Sequence, residues 1–187
     1  FDQLTYKLSI LLHDRIYQPK NAKEILLGDN TESDYFIFSL YQLIISGVIS
    51  GDDLEEYLYH LNFLGRDAVT RDNAKKIREL ADECISVHGK KNSVHLVLIN
   101  MTNMGPMADE MWNNVLGALP RNVDLTKSAD FSAYIPTEGS LGFAVTLQAL
   151  GVLDFQSVIS VATSMVGSWT GGRVVDENYL LSITRIL

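Results

Sequence analysis

From Gly139 to Gly172 the chain runs 34 residues with one charged side chain, Asp154, and half of those residues are Gly, Ala, Ser or Thr. The whole protein is 20% charged and carries a net −8, so this stretch stands apart from the rest. Small side chains let backbones approach closely, and a segment without charge is meant to be covered. A core, a subunit interface and a bilayer are the three ways to cover it. The bilayer fits poorly. The two apolar runs, parted by Gly151 and Asp154, are about fourteen residues each, whereas a spanning helix needs about 20. Thr146, Gln148, Gln156, Ser157, Ser160 and Ser164 interrupt them further. Thr137 and Asp154 are suited to cap two successive helices, which predicts a helical hairpin over 137–166. Ser160, Ser164 and Ser168 recur at four-residue spacing and permit a close crossing. Part of the hairpin is expected to meet a second subunit, with Phe143, Leu147, Ser160, Ser164 and Trp169 as the interface candidates.

Charge divides the chain unevenly. Residues 1–91 hold 26 of the 38 charged side chains. The expected organisation is therefore a charged amphipathic lobe over 1–91 and a low-charge lobe over 92–187, or both within one domain. The fold class expected is all-α, a compact bundle of about eight helices with at most a minor strand near 93–101. Leu4, Leu8, Leu11, Leu12 and Ile16 form one helical stripe that Pro19 ends. Thr31 with Asp34 resembles a capping box ahead of a helix apolar on nearly every face, 35–45, which reads as central. Ser50 and Asp53 open a third helix, and a fourth runs from about Asp72 to Val87, stopped by Gly89. The segment 93–101, SVHLVLINM, is β-branched and uncharged, but no neighbouring segment offers it a strand partner, so helix is favoured there. Further helices are expected from Gly105-Pro106 to Pro120 and from Asp176 onward. A loop of about fifteen residues runs up to Pro136, and loops of that length are often functional.

Catalytic signatures are missing. Cys84 and His88 sit four apart on one helix, yet Cys84 is the single cysteine and lies on the apolar face, so neither a metal site nor a nucleophile is expected. The chain contains no nucleophile elbow and no His-Glu-x-x-His helix. The glycine-rich run Gly167–Arg173 lacks the Walker lysine. Paired acids at Asp52-Asp53, Glu55-Glu56, Asp109-Glu110 and Asp176-Glu177 fall in predicted first turns, where the helix dipole accounts for them. No metal, no cofactor and no enzyme activity are expected, and no motif carries a resemblance to a known family.

Basic residues give the remaining signal. Residues 66–91 carry a local net +2 in an acidic protein. Arg66, Arg71, Lys75, Lys76, Arg121, Lys127 and Arg173 are the candidate nucleic-acid contacts, with Phe131, Tyr134 and Trp169 as stacking platforms. The competing explanation of that cluster is a solvated helix face laced by Lys75–Glu79 and Arg78–Asp82. The expected function is a non-enzymatic, self-assembling coat or nucleocapsid protein that packages single-stranded RNA. Its partners would be copies of itself and RNA rather than a membrane, in the cytoplasm or in a virion. The alternatives are a helical adaptor module without nucleic acid and, behind it, an enzyme with a small pocket near 167–173.

Overall fold

The computed structural model describes residues 3–31, 34–61, 69–102 and 134–168. Among them are helices α1 (Gln3–Tyr17), α2 (Asp34–Ile45), α3 (Gly51–His60) and α4 (Arg71–His88). Strands β1 (Glu24–Asp29), β2 (Val94–Asn100) and β3 (Tyr134–Thr137) follow the order β1-β2-β3 in one sheet, and α5 (Gly139–Ala149) and α6 (Phe155–Ser168) complete the set. The protein is therefore a mixed helix and strand fold, and the expected all-α bundle of about eight helices is incorrect. By compactness the chain divides into two units, Phe1–Pro136 and Thr137–Leu187.

In that first unit β1 and β2 run parallel, with Leu26 opposite Val97 and Asp29 opposite Asn100. A parallel pair needs a long crossover, and α2, α3 and α4 supply it. β2 buries Val94, Leu96, Val97, Leu98 and Ile99. A strand covered on both faces reads as a near-continuous apolar run, which is the pattern of 93–101. The reading of that segment as helix failed because its partner lies about seventy residues earlier in the chain.

All twelve residues of α2 are buried. Its polar members are satisfied internally. The Ser39 hydroxyl donates to Tyr35 O at 2.7 Å, and Asp34 Oδ1 lies 2.5 Å from Lys7 Nζ. Leu4, Leu8 and Leu12 of α1 and Ala74, Ile77, Ala81 and Cys84 of α4 join the same core. Thr70 caps α4 by accepting from Asn73 N at 3.2 Å, and Gly89 ends it at φ +76°. The Thr31–Asp34 capping box does not form. Thr31 N–H and its hydroxyl both donate to Asp29 Oδ1, at 2.7 and 2.5 Å, while Asp34 Oδ2 accepts from Asp29 N at 3.1 Å.

The second unit contains α5 and α6, so the hairpin expected over 137–166 is present with its helices at 139–149 and 155–168. Thr137 ends β3, and Glu138 takes the position before α5. Asp154 caps α6 as expected, accepting from Ser157 N at 2.7 Å and Ser157 Oγ at 2.6 Å. These two bonds hold the Asp154 carboxyl below its ordinary range. Leu141, Ala144 and Val158 are the buried centre of the hairpin. The loop expected up to Pro136 gives way to β3 from Tyr134 onward, and Tyr134 packs against the first unit's core. The helices expected at 105–120 and after Asp176 lie outside the described residues. No helix among the described residues is long and apolar enough to cross a membrane.

Candidate functional site

The strands that the sequence concealed bring together a set of basic residues at their amino ends. Pro19 stops α1, and the short connection to β1 carries Lys20 and Lys23. The connection from α4 to β2 carries Lys90 and Lys91. Because β1 and β2 are parallel neighbours, both connections lie at the same end of the sheet. Between them opens a cavity of about 450 Å³ lined by Arg15, Lys20, Lys23, Lys91, Asn92 and Ser93 among others, and no Asp or Glu among the described residues lines it.

Arg15 occupies the last turn of α1, where a cation suits the helix dipole, and it is only 1% exposed. Its guanidinium donates to Pro19 O and Lys20 O at 3.4 Å each, and Nε lies 4.0 Å from Glu24 Oε2. Those are outer-limit distances for a fork with five donors. Glu24 is committed elsewhere. Its carboxylate accepts from the Tyr41 hydroxyl at 2.8 Å and from the Ser93 hydroxyl, while its N–H donates to Ser93 O at 3.0 Å. Burial, and then the charge of Glu24, pushes the Tyr41 phenol far above its ordinary value, so it stays a neutral donor.

The rim is held in place by the backbone. Lys91 N–H donates to Ile45 O at 3.0 Å. Asn92 Nδ2 donates to Gln42 Oε1 at 2.9 Å, and Asn92 Oδ1 accepts from Val94 N at 3.0 Å. Lys20, Lys23 and Lys91 are exposed and pair with no carboxylate among the described residues. Among the described residues of an acidic protein, a buried arginine and three lysines without a carboxylate partner thus converge on this opening. That arrangement attracts an anion.

Comparison with known families, curated proteins and solved structures finds no match. The chemistry of the site therefore rests on its own geometry.

The basic residues singled out in the sequence behave differently. Arg71 Nη1 lies 2.6 Å from Glu56 Oε1, and its guanidinium stacks 4.0 Å from the Tyr59 ring centroid. The hydrogen bond that Arg71 donates to Glu56 lowers the Glu56 carboxyl and raises the Arg71 guanidinium. Lys75 is 4.0 Å from Glu79, and Arg78 Nε is 2.9 Å from Glu55. Lys76 is exposed on the same helix. Most of this face is thus neutralised by acids of α3 and α4, as the solvated-helix reading has it. Arg66, Arg121, Lys127 and Arg173 lie outside the described residues, as do Phe131 and Trp169.

On the hairpin, Phe143 and Leu147 are half-buried, and Ser160 and Ser164 are exposed. The Ser160 hydroxyl donates to Gln156 O at 2.9 Å. Larger apolar side chains nearby are also open to solvent, with Leu150 52% and Phe155 53% exposed. Cys84 is buried, and burial pushes its thiol up to about 11. No group of three or more metal-binding side chains occurs among the described residues.

Arg15, Lys20, Lys23 and Lys91 escaped the sequence reading. Their signal was present as lysines directly ahead of two short apolar runs, but it acquires meaning only once both runs are recognised as parallel strands.

Proposed function

We propose that the chain is a non-enzymatic, self-associating protein of the coat or nucleocapsid type that holds single-stranded RNA, with phosphate received at the basic opening beside β1 and β2. The observation that supports the reading is the convergence of Arg15, Lys20, Lys23 and Lys91 on a cavity that no acid among the described residues lines. Phosphate neutralisation requires positive charge locally rather than over the whole protein. A subunit in an assembly needs to hold only a few nucleotides, so a net −8 is no obstacle. Self-association is assigned to the hairpin, whose exposed Leu150, Val152, Phe155 and Ile159 lie in the segment poorest in charge. On this reading the protein works inside the cell or within a particle.

The test is a fluorescence-anisotropy titration of labelled single-stranded RNA at several salt concentrations. Lys20→Glu with Lys91→Glu is expected to weaken binding by more than about tenfold and to flatten the plot of log K against log salt by about 1.4, two phosphate contacts' worth. Arg71→Glu with Lys75→Glu is expected to leave both nearly unchanged, because those cations already have acidic partners. A wild-type chain that ignores RNA at low salt ends the RNA reading. Self-association without RNA binding then leaves the adaptor module in its place.

A further inference from the structure

We infer that the opening at the amino ends of β1 and β2 is built for a terminal phosphomonoester, the phosphate of a mononucleotide or of a phosphorylated RNA end, rather than for the internal diesters of a chain. The RNA end as a source rests on the function proposed above, whereas the phosphate site itself does not.

Three observations carry it. The first is shape. A protein that follows a nucleic-acid backbone spreads its cations along a groove. The surface that would supply such a stripe, α4 with Arg71, Lys75 and Arg78, is largely paired off by Glu55, Glu56, Glu79 and Asp82. Lys20, Lys23 and Lys91, which pair with no carboxylate among the described residues, instead surround one cavity of about 450 Å³. That volume is within the range of small-ligand sites, about 300–1,000 Å³, and suits one nucleotide rather than a run of them.

The second is charge. Arg15, Lys20, Lys23 and Lys91 bring four positive charges to a site whose adjoining carboxylate among the described residues, Glu24, is held by Tyr41 and Ser93 and leaves an excess of about three. A monoester carries about −1.5 to −2 at neutral pH, so it matches this excess better than a singly charged diester does.

The third is the floor. Arg15 is almost wholly removed from water, yet its two carbonyl bonds are 3.4 Å long and its carboxylate contact is 4.0 Å. A buried cation so loosely compensated exerts a strong local field. An anion seated above it completes the compensation. The exposed Asn21 on the wall supplies a neutral hydrogen-bonding group for the rest of the ligand.

The experiment is isothermal titration of the full chain with four probes. These are a single-stranded RNA oligomer phosphorylated at either end, the same oligomer with two free hydroxyl ends, a nucleoside 5′-monophosphate, and inorganic phosphate. Each is repeated on the triple variant Lys20→Gln, Lys23→Gln, Lys91→Gln. Those lysines are exposed, and an unchanged melting temperature without ligand certifies the variant's fold. The phosphorylated oligomer is expected to bind about tenfold tighter than the hydroxyl one, with the advantage lost in the triple variant. Equal affinity for both oligomers, with no heat from the mononucleotide or from inorganic phosphate, overturns the inference while leaving RNA binding intact. Binding of the mononucleotide alone, abolished by the triple variant, upholds the site and ends the RNA reading instead. Binding that survives the triple variant places the phosphate elsewhere and overturns the inference.

Discussion

At the scale of single residues, the chain's least typical groups lie between α1, α2, α4 and the start of β1. Arg15, Glu24, Tyr41 and Cys84 influence one another there, which is why the acid–base behaviour of the core is coupled to the cavity beside it. Cys84 gives an accessible readout. Burial, opposed by Arg15 and reinforced by Glu24, lifts its thiol from 9.0 to about 11. A group whose folded value lies above its unfolded one contributes stability that is complete below the unfolded value and is lost as pH rises through the folded one. The contribution of Cys84 is therefore full below pH 9 and disappears between 9 and 11. Relative to Cys84→Ala, the wild type is expected to lose about 2 kcal/mol of its advantage across that window in urea unfolding. A constant difference between the two proteins from pH 8 to 11 contradicts this account.

At the scale of elements, the junction of β1 with α2 leaves no room for a side chain at Gly28. A Cβ on Gly28 would lie 2.5 Å from Asp34 Cβ and 2.8 Å from the Phe38 ring. Asp34 has no room to yield, since it is bonded to Lys7 and to Asp29 N–H. Gly28→Ala is expected to destabilise the chain by about 3 kcal/mol through overpacking. A urea midpoint equal to that of the wild type refutes the tight junction.

The same elements explain what could be read in advance. Helix α4 was legible because the stripe of Ile77, Leu80, Ala81 and Cys84 and the stop at Gly89 are local signals, whereas its cap, Thr70, emerged only in the structure. β1 was not, because Glu-Ile-Leu-Leu-Gly-Asp is six residues long, carries a Gly, and fully buries only Leu26. With β1 unseen, β2 had no partner and the basic residues ahead of both strands had no common address.

At the scale of the whole molecule, charge and apolar surface are segregated. Most charged side chains fall in residues 1–91, while the hairpin holds Asp154 as its one charge between Gly139 and Ser168. Phe155→Ser with Ile159→Ser removes two exposed apolar groups without touching Leu141, Ala144 or Val158. Light scattering across a concentration series is expected to find the wild type self-associating and the double variant shifted at least about tenfold in concentration toward monomer, because each exposed apolar side chain covered contributes about 1.5 kcal/mol or more. A wild type that is monomeric at every concentration removes the assembly reading.

The 139–172 stretch illustrates where local information stops. Local sequence argued against a spanning helix and called for a hairpin, since helix caps, breaks and hydroxyl residues act over a few positions. Which basic residues stay unpaired, and where they meet, depended on the parallel pairing of β1 with β2 and on the acids that α3 turns toward α4. Those contacts join residues far apart in the chain, and their energies are realised only after the chain has closed on itself.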